Sequence, residues 1–252
     1  MIEVAGATKR YGRATVVDDV DLRLPAGGVT SIIGPNGAGK STLLSLVSRL
    51  LPLDAGTVTV DGLDVTRTPG DVLARRLSIL RQDNHIASRL TVRDLVSFGR
   101  YPWSRGRLTA KDHAKVEEAI GFLHLEDLAG RFLDELSGGQ RQRAYIAMVL
   151  CQDTDYVLLD EPLNNLDLRH SVQMMRLLRQ AATELGKTIV LVVHDINFAS
   201  CHSDHLIAMK DGRVVVEGDP GVLIEPDALR LVYDVDIEVH ELGGQRIGVY
   251  FS

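Results

Sequence analysis

Gly34-Pro35-Asn36-Gly37-Ala38-Gly39-Lys40-Ser41-Thr42 decides how this chain is read. The stretch has the form GxxxxGK[ST]. Its glycines let the backbone turn back tightly enough for consecutive N–H groups to face one concavity. That concavity matches the oxygens of a nucleotide's β- and γ-phosphates. Lys40 adds a compact positive charge beside them. The Ser41 hydroxyl can ligate Mg²⁺, a hard cation that prefers oxygen donors. The flanks agree with this reading. Residues 29–33 read as a buried strand, and residues 41–50 as a helix with Leu43, Leu44 and Val47 on one face. The positive end of the helix dipole then points at the phosphates.

Outward from the loop the pattern is α/β. Residues 2–33 alternate in the strand manner, through Ile2-Glu3-Val4, Val16-Val17 and Leu22-Arg23-Leu24, and residues 57–61 and 77–80 are further strands. After Gln82 the character is helical: residues 91–100, then 109–123 with Thr109 as N-cap and Asp112 at N3, then a helix capped by Ser137 and running to about Cys151. Strand signals return at 156–159, 189–193, 206–209 and 214–216, with Asp211-Gly212 as a hairpin turn between the last two. The expected fold is a mostly parallel sheet covered on both faces, with residues 2–24 and 57–61 in an antiparallel layer and a helical insertion. One domain is expected, with a catalytic core over 1–83 and 151–252 and a helical subdomain over 84–150.

Two more stretches carry chemistry. Tyr156-Val157-Leu158-Leu159-Asp160-Glu161 is an apolar strand ending in two carboxylates, at the edge where α/β folds bind ligands. Asp160 can hold Mg²⁺ through water, and Glu161 can polarise a water for attack on a γ-phosphate. Leu136-Ser137-Gly138-Gly139-Gln140 opens a helix with a Ser cap and two small residues, so its free N–H groups can face a second anion.

Composition narrows the class. The 252 residues hold 28 basic and 34 acidic side chains, a net charge of −6, which is no footprint for a nucleic-acid backbone. Cys151 and Cys201 are too few for a disulfide framework and read as reduced, buried thiols. The first ten residues hold no apolar leader, and no apolar run approaches the ~20 residues that span a bilayer, so any membrane role needs a separate spanning polypeptide. Cys201, His202, His205 and His194 are not read as metal ligands, because they fall on different elements. Residues 89–115 hold seven basic and two acidic side chains beside Tyr101 and Trp103, either a solvated face or a docking surface for a membrane subunit.

Taken in order, Gly34 to Thr42, Gln82, Leu136 to Gln140, Tyr156 to Glu161, Asp167 and His194 resemble the Walker A, Q-loop, signature, Walker B, D-loop and switch histidine of an ATP-binding cassette (ABC) ATPase. The resemblance covers essentially the whole chain. It implies a RecA-like P-loop NTPase core that takes ATP and Mg²⁺. Tyr11 would stack on adenine. Ser41, Gln82 and Asp160 would surround the metal, and Lys40, Glu161 and His194 would act at the γ-phosphate. It implies a head-to-tail dimer with a second copy or a paralogous ATPase. Each ATP then lies between one chain's Walker A and the other's Ser137-Gly138-Gly139, with Gln140 and Asp167 at the same interface. Two anion-binding helix termini on one chain suit that arrangement. It further implies membrane permease subunits, indirectly a substrate-binding protein, and a place on the cytoplasmic face of the membrane.

Leu163-Asn164-Asn165-Leu166-Asp167 departs from a commoner family pattern, which has Thr or Ser first and Ala before Leu-Asp. With Gln82-Asp83-Asn84-His85 and residues 89–100, it is similar to the branch that imports iron–siderophores. Importers of haem, cobalamin or a metal are the alternatives, then a non-transport ABC ATPase.

Overall fold

A computed structural model describes residues 1–82 and 88–250. Strands β1 (Ile2–Tyr11) and β2 (Ala14–Leu24) form a hairpin, and β3 (Gly28–Ile33) leads through the glycine-rich loop into helix α1 (Lys40–Val47). Strands β4 (Ala55–Val60) and β5 (Leu63–Asp64) complete an antiparallel sheet in the order β2-β1-β4-β5. After the single turn α2 (Gly70–Leu73) comes β6 (Leu77–Leu80), then four helices: α3 (Val92–Phe98), α4 (Tyr101–Ser104), α5 (Ala110–Phe122) and α6 (Gly138–Cys151). The chain continues through β7 (Tyr156–Asp160), α7 (Leu168–Glu184), β8 (Thr188–Val192), α8 (Ile196–His202), β9 (His205–Lys210) and β10 (Arg213–Gly218). It closes with α9 (Pro220–Leu223), α10 (Pro226–Tyr233) and the hairpin β11 (Glu238–Leu242) and β12 (Gln245–Val249).

The main sheet has the order β10-β9-β3-β8-β7-β6, parallel except for the β9–β10 hairpin. Asp211 and Gly212 take left-handed backbone at φ 49° and 80°, the geometry of a tight two-residue hairpin turn. The mostly parallel sheet and the antiparallel layer are those read from the sequence. Period-two alternation divides the core in two. Ile32, Leu158, Val190 and Val192 face α1 and the antiparallel sheet, while Ile33, Leu159, Ile189 and Leu191 face the core shared with α3, α5, α6 and α7. Burial on both faces is why these strands are mostly apolar rather than alternating, with Thr30, Ser31 and Thr188 among the buried polar exceptions.

Local chemistry sets the helix starts. Thr91 with Asp94, Thr109 with Asp112 and Ser137 with Gln140 close reciprocal capping boxes, each satisfying two otherwise orphaned N–H groups. Some ends differ from expectation. The helix expected over 91–100 stops at Phe98. Gly99 lies so close to α6 that a Cβ there would be 2.1 Å from the Met148 carbonyl oxygen, and the chain restarts as α4 with Pro102 in its first turn. The helix expected over 41–50 ends at Val47, and Arg49 turns left-handed at φ 59°. Asp83, Asn84 and His85 lie outside the described residues.

The basic stretch 89–115 is not one solvated face. Arg100 is buried; its guanidinium donates to Asp112 Oδ1 at 2.9 Å and to the Cys151 carbonyl at 2.9 Å, and lies 5.3 Å from the Trp103 ring centroid. Arg89, Arg93, Arg105 and Lys115 also pair with carboxylates. Cys151 is buried as expected and its thiol is pushed up to about 12 by that burial, whereas Cys201 is only half-buried.

Candidate nucleotide site

Sheet register assembles the site. Leu80 pairs with Leu159 and Asp160 with Val192, so the chain just past β6, β7 and β8 leaves the sheet side by side. Gln82, Glu161 and His194 therefore emerge as neighbours at the carboxyl edge, although 112 positions separate the first from the last. Their side chains meet on Glu161. Gln82 Nε2 donates to Oε2 at 2.8 Å, His194 Nε2 lies 2.7 Å from Oε1, and Asn164 Nδ2 donates to Oε2 at 3.4 Å. Glu161 has left-handed backbone at φ 51°, which turns its carboxylate back across the edge of the sheet.

The glycine-rich loop leaves β3, next to β8 on the same edge. Gly34 cannot carry a side chain: its φ is 139°, and a Cβ would sit 2.0 Å from the Met209 carbonyl oxygen. Gly39 caps α1 at φ 95°, where a Cβ would meet the Val16 carbonyl at 2.4 Å. Lys40 is buried and its Nζ donates to the Gly34 and Pro35 carbonyls at 2.8 and 2.9 Å, which holds the loop closed on itself. Burial pulls the ammonium down, against Glu161 and Asp160, which pull it up. Ser41 Oγ donates to Asp160 Oδ1 at 2.7 Å. Burial pushes the Asp160 carboxyl up, and Glu161 adds to this, while the Ser41 hydroxyl, Lys40 and Arg81 oppose it. A buried carboxylate beside a hydroxyl, both oxygen donors, is a set that fits Mg²⁺, and a cation there would offset the burial.

An open cleft follows, lined by residues 36–42, Val16, Glu161 and His194. Other sequence-read residues lie elsewhere. Gly34 and Pro35 open the loop but do not line the cleft; their carbonyls accept from Lys40. Tyr11 is half exposed at the end of β1, with Lys9 Nζ 5.7 Å from its ring centroid. Ser137, Gly138, Gly139 and Gln140 open α6 and do not line the cleft; Asp167 caps α7 instead, accepting from the His170 backbone N–H at 2.8 Å. Three residues escaped the sequence reading. In the sequence Asn164 stands out only as a departure from a pattern and Val16 only as a strand residue, and no motif singles out His170. A carboxylate three residues before His170, at capping spacing, is the signal that marks it.

The family profile described as ABC transporter matches residues 17–164. The chain belongs to the ABC transporter family. The petrobactin import ATP-binding protein YclP of Bacillus subtilis (strain 168) is 52% identical over 252 residues, covering 100% of both chains. The petrobactin import ATP-binding protein FatE of Bacillus anthracis is 52% identical over 250 residues, covering 99% of this chain and 100% of that one. Among solved structures, a dimeric ATP-binding cassette in a post-hydrolysis state with ADP and Pi superposes with a TM-score of 0.78 at 29% identity, covering 87% of this chain and 99% of that chain. The cassette is thus an ATP-binding ATPase with the P-loop architecture read from residues 34–42.

Proposed function

We propose that this cassette hydrolyses ATP to drive uptake of a ferric siderophore or related iron chelate through a separate membrane permease. The observation that carries the ATPase chemistry is the convergence of Gln82, Asn164 and His194 on Glu161, at the rim of the cleft that holds Lys40 and Ser41. The cargo rests on full-length similarity to two petrobactin import proteins. Among the described residues no helix is long and apolar enough to cross a membrane.

The loop N–H groups and Lys40 hold the phosphates, and Tyr11 stacks on the base. Ser41 and Asp160, joined by Gln82, would hold Mg²⁺, which would supply charge neutralisation at the phosphate oxygens. Glu161 takes the proton from the attacking water, and His194 orients Glu161 and the γ-phosphate. Ser137, Gly138, Gly139, Gln140 and Asp167 lie outside the cleft of their own chain, which supports a head-to-tail partner that brings them to it. That partner is a second copy or a paralogous ATPase, and the pair docks on the permease at the cytoplasmic face.

Glu161→Gln tests the chemistry. The amide keeps the shape and removes the charge, so turnover should fall about a thousandfold or more, while ATP traps a dimer visible by gel filtration. Wild-type turnover in this variant refutes Glu161 as the base. Uptake of labelled ferric siderophore by cells lacking the cassette tests the cargo; undiminished uptake, with loss of haem, cobalamin or metal uptake instead, assigns a different import.

A further inference from the structure

The N-terminal end of α6, residues 138–142, is fastened to the segment 162–170 of its own chain. Gln142 Nε2 donates to the Pro162 carbonyl at 3.0 Å, and a Cβ added to Gly138 would lie 3.8 Å from the Asn165 carbonyl oxygen. The tightest contact is between Gly139 and the His170 ring. A Cβ on Gly139 would lie 2.7 Å from His170 Cδ2 and 2.9 Å from Cγ, so only a glycine lets the ring pack there.

The other edge of the same ring is bonded. His170 Nδ1 lies 2.7 Å from Asp167 Oδ1. The carboxylate can only accept, which assigns the proton to Nδ1. Asp167 is held below the usual carboxylate range, first by the His170 backbone N–H and then by this ring contact, so it is ionised at neutral pH. One side chain therefore touches Asp167 through Nδ1 and packs on Gly139 through Cδ2, the two ring atoms that flank Cγ.

We propose that His170 is a positioning residue: it clamps Asp167 to the signature helix, so that the two segments offered to a second copy move as one rigid body. The proposal rests on the reading that these segments meet the partner's nucleotide. His170 itself touches no reacting atom.

The test uses the full chain carrying Glu161→Gln, which arrests turnover, and reads the ATP concentration that half-dimerises it by light scattering. His170→Ala should raise that concentration about tenfold, the worth of roughly one intrachain hydrogen bond that holds the dimerising segments in place. His170→Asn should restore it to within about twofold, because Asn Nδ2 and Oδ1 take the places of Nδ1 and Cδ2. His170→Gln, whose amide lies one bond too far out, should not. Equal rescue by Gln and Asn, or a loss that tracks a fall in unfolding temperature across the three variants, overturns the clamp. Ser137→Arg in the same background separates the two levels. If it dimerises like its parent, the shared-site reading has failed. If it fails to dimerise while His170→Ala behaves like the parent, the shared site stands and the clamp is wrong.

Discussion

Replacing Arg100 by Met tests how the α3–α4 junction is held to α5 and α6. The Arg100 and Asp112 side chains are 4% and 7% exposed, and the guanidinium makes bonds of 2.9 Å to Asp112 Oδ1 and to the Cys151 carbonyl. Met fills much of the same volume but leaves a buried carboxylate and a carbonyl without their partner. Breaking a buried ion pair from one side costs about 3–5 kcal/mol. Asp112 keeps the Thr109 N–H and hydroxyl as donors, at 2.9 and 2.7 Å, so the low end applies, about 3 kcal/mol. In a chain of this size each kcal/mol lowers the unfolding midpoint by about 2–4 °C, giving a fall of about 6–12 °C. Differential scanning calorimetry measures it. Arg105→Met is the matched comparison, since Arg105 is 76% exposed in its 3.3 Å pair with Asp71 and should shift the midpoint by less than about 2 °C. If the two variants melt together, the buried pair contributes no more than a surface one and the reasoning fails.

Three further outcomes are expected. The Asp112 carboxyl is held at about 2, against an ordinary 3.8, by the Thr109 N–H first, then the Thr109 hydroxyl and Arg100. A depressed pKa contributes stability that is complete above 3.8 and lost as pH falls through about 2, so the melting temperature of wild type should drop more steeply across that window than that of Asp112→Asn, and parallel curves would refute this. Lys40→Ala and Ser137→Arg should each abolish ATP-dependent dimerisation alone, yet mixing them should restore part of it, because one of the two shared sites then has an intact loop and an intact signature; a mixture that behaves as the average of its parents counts against a shared site. Tyr11→Ala should weaken ATP binding about tenfold in equilibrium dialysis, the worth of one base-stacking contact, and unchanged affinity removes Tyr11 from the site.

What was legible in the sequence was local. Gly34 to Ser41 announces a strand, a turn and a helix within a few residues of itself, and Thr109 with Asp112 or Ser137 with Gln140 announce helix starts at a spacing of three. Pairing between distant strands leaves no such trace. Nothing near Gln82 tells that it will emerge beside Glu161; only the β6–β7 register does. Arg100 misleads for a related reason: an arginine in a basic stretch reads as surface until its partner Asp112 is known, and Asp112 already had a role as a cap. The sequence reading names no helix over 168–184, although Met174, Met175, Leu178 and Ala181 recur at helical spacing and are all buried in α7. Asp167 carries two roles at once, and its place in the family motif masks that it also caps that helix.

The backbone of Glu161 has a consequence for anyone who engineers this chain. A left-handed glutamate costs on the order of 1 kcal/mol that glycine at the same φ would not, and its charge adds to the burden on the buried Asp160 beside it. Selection for heat resistance and selection for turnover therefore pull position 161 in opposite directions. A thermostabilising library scored on folding alone will be drawn toward substitutions there, and its best performers will be sturdy proteins that no longer spend ATP.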